Sequence, residues 1–216
     1  MRVKICGIRD QEDLKLVSDS GADAAGFISG ITHFSEDALE PEVVRTLVRA
    51  APPYLSTVLV THLASAAELL DLAEYTGVDT IQLHGIISET EIARVRAGWT
   101  GRLTRVVHVD DYSALDRARR AGLSCDAVHL DSRSAERLGG TGQVHDWSIS
   151  AKIVEELAAH RCPCILAGGL SPENLSEAIE TVKPYAVDVN SGTDTPGGKK
   201  SPAAIRDFVR IAHQSA

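Results

Sequence analysis

The chain has 216 residues, 44% of them hydrophobic and 24% charged, with a formal net charge of −8; this length supports one domain with a substantial core and is short for two. The dispersed acidic excess argues against a polyanion-binding surface, so no nucleic-acid partner is expected, although it leaves room for one small basic pocket. No apolar stretch approaches the roughly 18–20 residues of a membrane span, and Met1-Arg2-Val3-Lys4 lacks the apolar core of a signal peptide, so the expected setting is the cytoplasm.

Short apolar runs alternate with amphipathic ones along the whole chain. The first run, residues 3–6, ends on Cys6, and Gly7 opens the loop behind it; a helix is predicted over 11–20. The strand–helix pairs 24–28 and 41–50, 56–60 and 64–76, 80–83 and 89–97, and 104–107 and 112–121 follow in turn. The pairs 127–130 and 148–159, 164–167 and 172–182, and 186–189 and 202–212 complete the series. Each predicted strand is almost continuously apolar, as strands buried on both faces should be. Ser171-Pro172-Glu173 and Ser201-Pro202 place a cap before a proline at the first helical position, and Asp146 before Trp147 suits a helix cap. Gly21-Ala22-Asp23 and Gly77-Val78-Asp79 suit a helix end feeding directly into a strand.

Strict alternation of eight strands with eight helices predicts an α/β fold, a (β/α)8 TIM barrel spanning residues 1–216 as a single domain. A doubly wound sheet would be expected to show a Gly-x-Gly-x-x-Gly turn after its first strand, and none is present. The four cysteines (Cys6, Cys125, Cys162 and Cys164) lack a disulfide-framework spacing and are expected as free thiols. Cys162-Pro163-Cys164 has no accompanying histidine cluster and does not suit zinc; Cys164 alternates into the core.

In such a barrel the chemistry gathers at the C-terminal strand ends. In order these are Cys6, residues 29–33, Thr61-His62, His84, His108, Asp131, Gly168-Gly169 and Asn190-Ser191-Gly192. Three glycine-rich turns, at 139–142, 167–170 and 189–192, follow the sixth, seventh and eighth strands, where backbone amides commonly hold a phosphate. A small phosphorylated metabolite is the expected substrate, with Gly140, Gly142, Gly168, Gly169, Asn190, Ser191 and Gly192 as candidate phosphate contacts. Cys6 and Asp131 place a thiol and a carboxyl across the mouth, an acid and a base for proton transfers on a bound sugar. The alternative roles are a buried apolar thiol for Cys6 and a turn cap for Asp131. His84 either lines the site or holds the turn after the fourth strand. Neither a hydrolase triad nor a paired-carboxylate metal site is evident, so no metal or cofactor is expected.

These residues resemble one family. Lys4-Ile5-Cys6-Gly7-Ile8, Gln82-Leu83-His84-Gly85, Leu130-Asp131, Gly139-Gly140-Thr141-Gly142 with Asp146-Trp147, Ala167-Gly168-Gly169-Leu170-Ser171-Pro172-Glu173-Asn174 and Val187-Asp188-Val189-Asn190-Ser191-Gly192 look like phosphoribosylanthranilate isomerase of tryptophan biosynthesis. The resemblance implies a (β/α)8 barrel and a cofactor-free Amadori rearrangement of N-(5-phosphoribosyl)anthranilate. It implies Asp131 as the general acid that opens the furanose and Cys6, as thiolate, as the base that removes the C2 proton. A thiol near its ordinary value would need only modest lowering for that role, whereas Asp131 should be raised so as to carry a proton at neutral pH.

The chain departs from the family on the aryl side. The stretch after the second strand, residues 29–37, has no arginine or lysine where the family carries an arginine for the anthranilate carboxylate, and Leu59-Val60-Thr61-His62 and Gln143 also differ from its usual pattern. A desolvated carboxylate without such a partner would lose about 2–5 kcal/mol. Either His33 or Arg105 substitutes, with His84 as a further aryl-side candidate, or the aryl group differs. The alternatives are a paralogue acting on another N-phosphoribosyl arylamine and a non-catalytic phosphosugar-binding barrel. No exposed apolar stripe can be told from helix packing, and a monomer or homodimer is expected.

Overall fold

The computed structural model describes residues 1–32, 34–132 and 145–215. Strands β1 (Arg2–Ile5), β2 (Ala24–Ile28), β3 (Ser56–Thr61), β4 (Thr80–Leu83), β5 (Arg102–His108), β6 (Ala127–Asp131), β7 (Cys164–Leu166) and β8 (Ala186–Val189) close into a parallel barrel in chain order, β8 pairing back onto β1. Helices α1 (Gln11–Asp19), α2 (Pro41–Ala50), α3 (Ala66–Thr76), α4 (Glu89–Gly98), α5 (Ala114–Ser124), α6 (Trp147–Ala158), α7 (Leu175–Val182) and α8 (Pro202–Gln214) follow the strands in turn. The predicted (β/α)8 barrel is the fold observed. No helix among the described residues is long and apolar enough to cross a membrane.

Successive strand side chains point to opposite faces, so each strand feeds two environments. Val3 and Ile5, Leu103 and Val107, and Val128 and Leu130 turn outward and join the main core beneath the helices. The residues between them turn into the barrel, where Lys4, Gln82, Thr104, His129 and Asp188 are all buried. The strands are therefore apolar on the helix side and distinctly polar within. Helix starts follow the capping rules: Asp10, Ser88, Asp146 and Ser201 accept from Asp13, Glu91, Ser148 and Ala204 amides.

The predicted start of the seventh helix moves. Residues 172–174 form a turn and α7 begins at Leu175. Asn174 explains the shift, because its side chain bonds the loop rather than the helix: Oδ1 accepts from Ser171 N at 2.9 Å and Nδ2 donates to Gly169 O at 2.9 Å.

Candidate active site

Cys6 lies one residue past β1, its amide donating to Val189 O at 2.8 Å. Its side chain is buried and packs on Val58, Val60 and Ile28 inside the barrel. Asp131 closes β6, in register with His108 at the end of β5. Both groups face the mouth, and each is only 7% exposed. Burial, helped by the negative charge of Asp188, raises the Asp131 carboxyl to about 7. The carboxyl thus keeps its proton below about 7. Cys6 goes against the sequence expectation: burial pushes its thiol up rather than down, with Lys4 opposing the shift, Asp188 reinforcing it and Lys200 opposing it again.

Three histidines end adjacent strands beside Asp131. The His84 ring lies 5.5 Å from His62 and 5.9 Å from His108, centroid to centroid, and its Nε2 is 3.7 Å from Asp131 Oδ2. Burial, then the nearby His108 and His62, holds His84 down at about 3, so it is neutral at working pH and forms no ion pair with Asp131. His62 Nδ1 accepts from Thr32 N at 3.4 Å, which ties the loop after β2 to the end of β3.

The turns after β7 and β8 meet at the opposite side of the mouth. Gly168 and Gly169 both adopt left-handed backbone, at φ +81° and +67°. A Cβ on Gly168 would lie 2.3 Å from Ser132 N and 2.6 Å from Asp131 Oδ1; only glycine lets this turn lie against the acid. Gly192 is equally confined, since its Cβ would fall on Leu170 O, and Ser191 beside it is exposed. Asn190 is occupied otherwise than expected. Its Nδ2 donates to Asp37 Oδ2 at 2.9 Å, and its Oδ1 accepts from Lys200 Nζ at 2.9 Å. Lys200 also bonds Asp194 at 2.8 Å, and Arg9 reaches Asp37 at 3.7 Å.

Arg105 does not join the mouth. It shares the outward parity of Leu103 and Val107, and its guanidinium pairs with Glu89 at the start of α4, 2.5 Å away. Strand alternation thus directs it to the helix layer, and it is withdrawn as an aryl-side contact. His33, Gly140 and Gly142 lie outside the described residues.

Sequence reading missed a charged group inside the barrel. Lys4 Nζ donates to Asp188 Oδ2 at 2.7 Å, and His129 Nδ1 lies 3.5 Å from the same oxygen. Lys4 and Asp188 are register partners on β1 and β8, so the pair could have been found from polar residues of one parity in otherwise apolar strands. Ser132, next to the acid, was also overlooked. Its hydroxyl bonds His145 Nδ1 at 2.9 Å, and His145 Nε2 bonds Ser150 on α6 at 2.6 Å.

A family model described as N-(5'phosphoribosyl)anthranilate (PRA) isomerase matches residues 3–211. The chain belongs to this family. It is 43% identical over 211 residues to the N-(5'-phosphoribosyl)anthranilate isomerase of Haloferax volcanii, covering 98% of this chain and 92% of that one. The crystal structure of phosphoribosyl anthranilate isomerase from Thermotoga maritima superposes with a TM-score of 0.87 at 31% identity, covering 99% of both chains. A structure of the enzyme in complex with reduced 1-(o-carboxyphenylamino)-1-deoxyribulose 5-phosphate matches at a TM-score of 0.81 and 30% identity, again over 99% of both chains. The protein is accordingly an isomerase of tryptophan biosynthesis.

Proposed function

We propose that the isomerase converts N-(5-phosphoribosyl)anthranilate to 1-(2-carboxyphenylamino)-1-deoxyribulose 5-phosphate in the cytoplasm, with Asp131 as acid and Cys6 as base. Asp131 donates its proton to the furanose ring oxygen, the C1–O bond breaks, and the nitrogen lone pair forms an iminium at C1. The Cys6 thiolate then takes the C2 proton. The C–H electrons become a C1–C2 double bond, the iminium electrons return to nitrogen, and the resulting enolamine tautomerises to the ketone. The observation that carries this reading is the buried Asp131 carboxyl, held at about 7 at the mouth that also holds Cys6.

Burial holds the Cys6 thiol above its ordinary value, so a minor fraction of the resting enzyme carries the thiolate that this step uses. The Gly168-Gly169 turn, with its consecutive left-handed residues, and Ser191-Gly192 offer backbone amides to the 5-phosphate. Asn190 acts from behind them, linking Asp37 to Lys200. His84, beside Asp131, is the aryl-side candidate that geometry supports.

Residues 29–37 include Glu36 and Asp37 but no arginine or lysine, which favours a second reading: the same rearrangement on another N-phosphoribosyl arylamine. Turnover of phosphoribosylanthranilate by wild type, Cys6→Ser and Asp131→Asn tests both. Robust wild-type turnover that falls about 10²–10⁴-fold in each variant is the expected result. No wild-type turnover, with phosphosugar binding intact, would leave the second reading; variants within about tenfold of wild type would remove the acid–base assignment.

A further inference from the structure

Lys4 and Cys6 are two residues apart on β1 and turn to the same inner face of the barrel. The space they share is made by Gly26 on the neighbouring strand. A Cβ there would lie 2.9 Å from Cys6 Sγ, 2.9 Å from Lys4 Cε and 3.0 Å from Lys4 Nζ. Gly26 sits within β2, away from any turn, so a missing side chain rather than an unusual backbone is what this position supplies. The lysine head and the sulfur both border that gap.

We propose that Lys4 is a positioning residue for the base: its ammonium, anchored by Asp188 and admitted by Gly26, is the counter-ion of the Cys6 thiolate. The proposal rests on reading Cys6 as the base. Burial works against the Lys4 charge, but Asp188 and then Cys6 more than offset it, and the ammonium is held above its ordinary value. Against its burial, the Lys4 charge draws the Cys6 thiol down.

The surrounding groups leave this task to Lys4. On β6, His129 is kept neutral by burial, and Asp131 is protonated up to about 7. On β4, His84 is neutral. On β8, Asp188 is negative and resists thiolate formation, while Lys200, engaged with Asn190 and Asp194, acts on the sulfur less strongly than Lys4. With the thiol protonated, Lys4 and Asp188 balance one another. When the thiol ionises, the ammonium is shared between oxygen and sulfur.

Iodoacetamide labelling of Cys6 from pH 6 to 11, with rates fitted against pH and read by site-resolved mass spectrometry on the full chain, tests this without relying on turnover. The Lys4→Met variant should move the labelling midpoint up by a unit or more, slowing labelling about tenfold below it. Because Lys4→Met alone leaves Asp188 buried and unpaired, the Lys4→Met/Asp188→Asn double variant is measured beside it; it removes both charges and should shift in the same direction by less. Gly26→Ala, which crowds both groups with the charges intact, should also move the midpoint. An unmoved midpoint in either folded Lys4 variant overturns the proposal, and if Cys6→Ser still abolishes turnover, the base assignment survives that failure. A shifted midpoint with unchanged turnover upholds the Lys4–Cys6 pairing and removes Cys6 as base instead.

Discussion

Replacing Asp131 by asparagine should lower turnover about 10²–10⁴-fold and, above neutral pH, make the isomerase more stable. The carboxyl is raised to about 7 in the folded chain, against about 3.9 when unfolded. The folded state therefore binds the extra proton across that window, and the contribution to stability is present below about 3.9 and lost as pH rises through about 7. At about 1.4 kcal/mol per unit, folding with this group at position 131 is penalised by about 1.5 kcal/mol at pH 5 and about 4 kcal/mol at pH 8.5. Asparagine is nearly isosteric with the protonated acid and does not ionise, so it escapes the increment. Relative to wild type, Asp131→Asn should gain about 2–3 kcal/mol more at pH 8.5 than at pH 5, roughly 5–10 °C in Tm for a chain of this length. Paired thermal melts at the two pH values, in one ionic strength, measure this directly. If the Tm difference between variant and wild type were the same at both, Asp131 would not be protonated in the fold, and its role as acid would lose its physical basis.

Other outcomes follow from the same geometry. Gly168→Ala forces a left-handed L-residue, at about 1–2 kcal/mol, and drives a Cβ against Asp131 and Ser132; kcat should drop on the order of 10²-fold, and an unchanged kcat would show that this turn does not position the acid. Arg105→Ala should leave KM within about threefold of wild type, since Arg105 pairs with Glu89 away from the mouth; a tenfold rise in KM would restore it as a substrate contact. Lys200→Met leaves Asp194 without its buried partner and should lower stability in denaturant titration by about 3–5 kcal/mol. The wild-type kcat/KM should rise with pH to about 7, stay level, and fall above the raised thiol value, because the productive form carries the Asp131 proton with Cys6 ionised. In Asp131→Asn the limb near 7 should disappear from the residual activity.

The alternation of apolar runs with amphipathic segments sufficed for the barrel, and strand ends sufficed to place Cys6, Asp131, His84 and the paired glycines at one mouth, because a closed parallel barrel brings those ends together whatever its loops do. What escaped was parity. Taking the strands as apolar throughout hid Lys4, Gln82, Thr104, His129 and Asp188, which share the inward face. The same neglect put Arg105 at the mouth, three residues before inward-facing His108 and therefore on the other side of the strand. The direction of the Cys6 shift was misjudged for a related reason. Strand-end position suggested an accessible thiol, whereas the sulfur packs on Val58 and Val60 and loses its water. Asn190 was correctly placed at the end of β8, but its partners Asp37 and Lys200 are 153 and 10 residues away, beyond any local pattern.

Those partners constrain how the enzyme can be altered. From Lys200 through Asn190 to Asp37 and on to Arg9, a chain of polar contacts ties the connections after β8, β2 and β1 into one brace across the rim. The connection after β2 carries no arginine or lysine over residues 29–37, and it would be the natural segment to exchange in search of a different aryl specificity. Transplanted without Asp37, it would release Asn190 from one side and Arg9 from another, loosening the ground next to the turns proposed to hold the phosphate. The connections after β2 and β8 are therefore mechanically joined, and the unit of exchange is the brace rather than the loop.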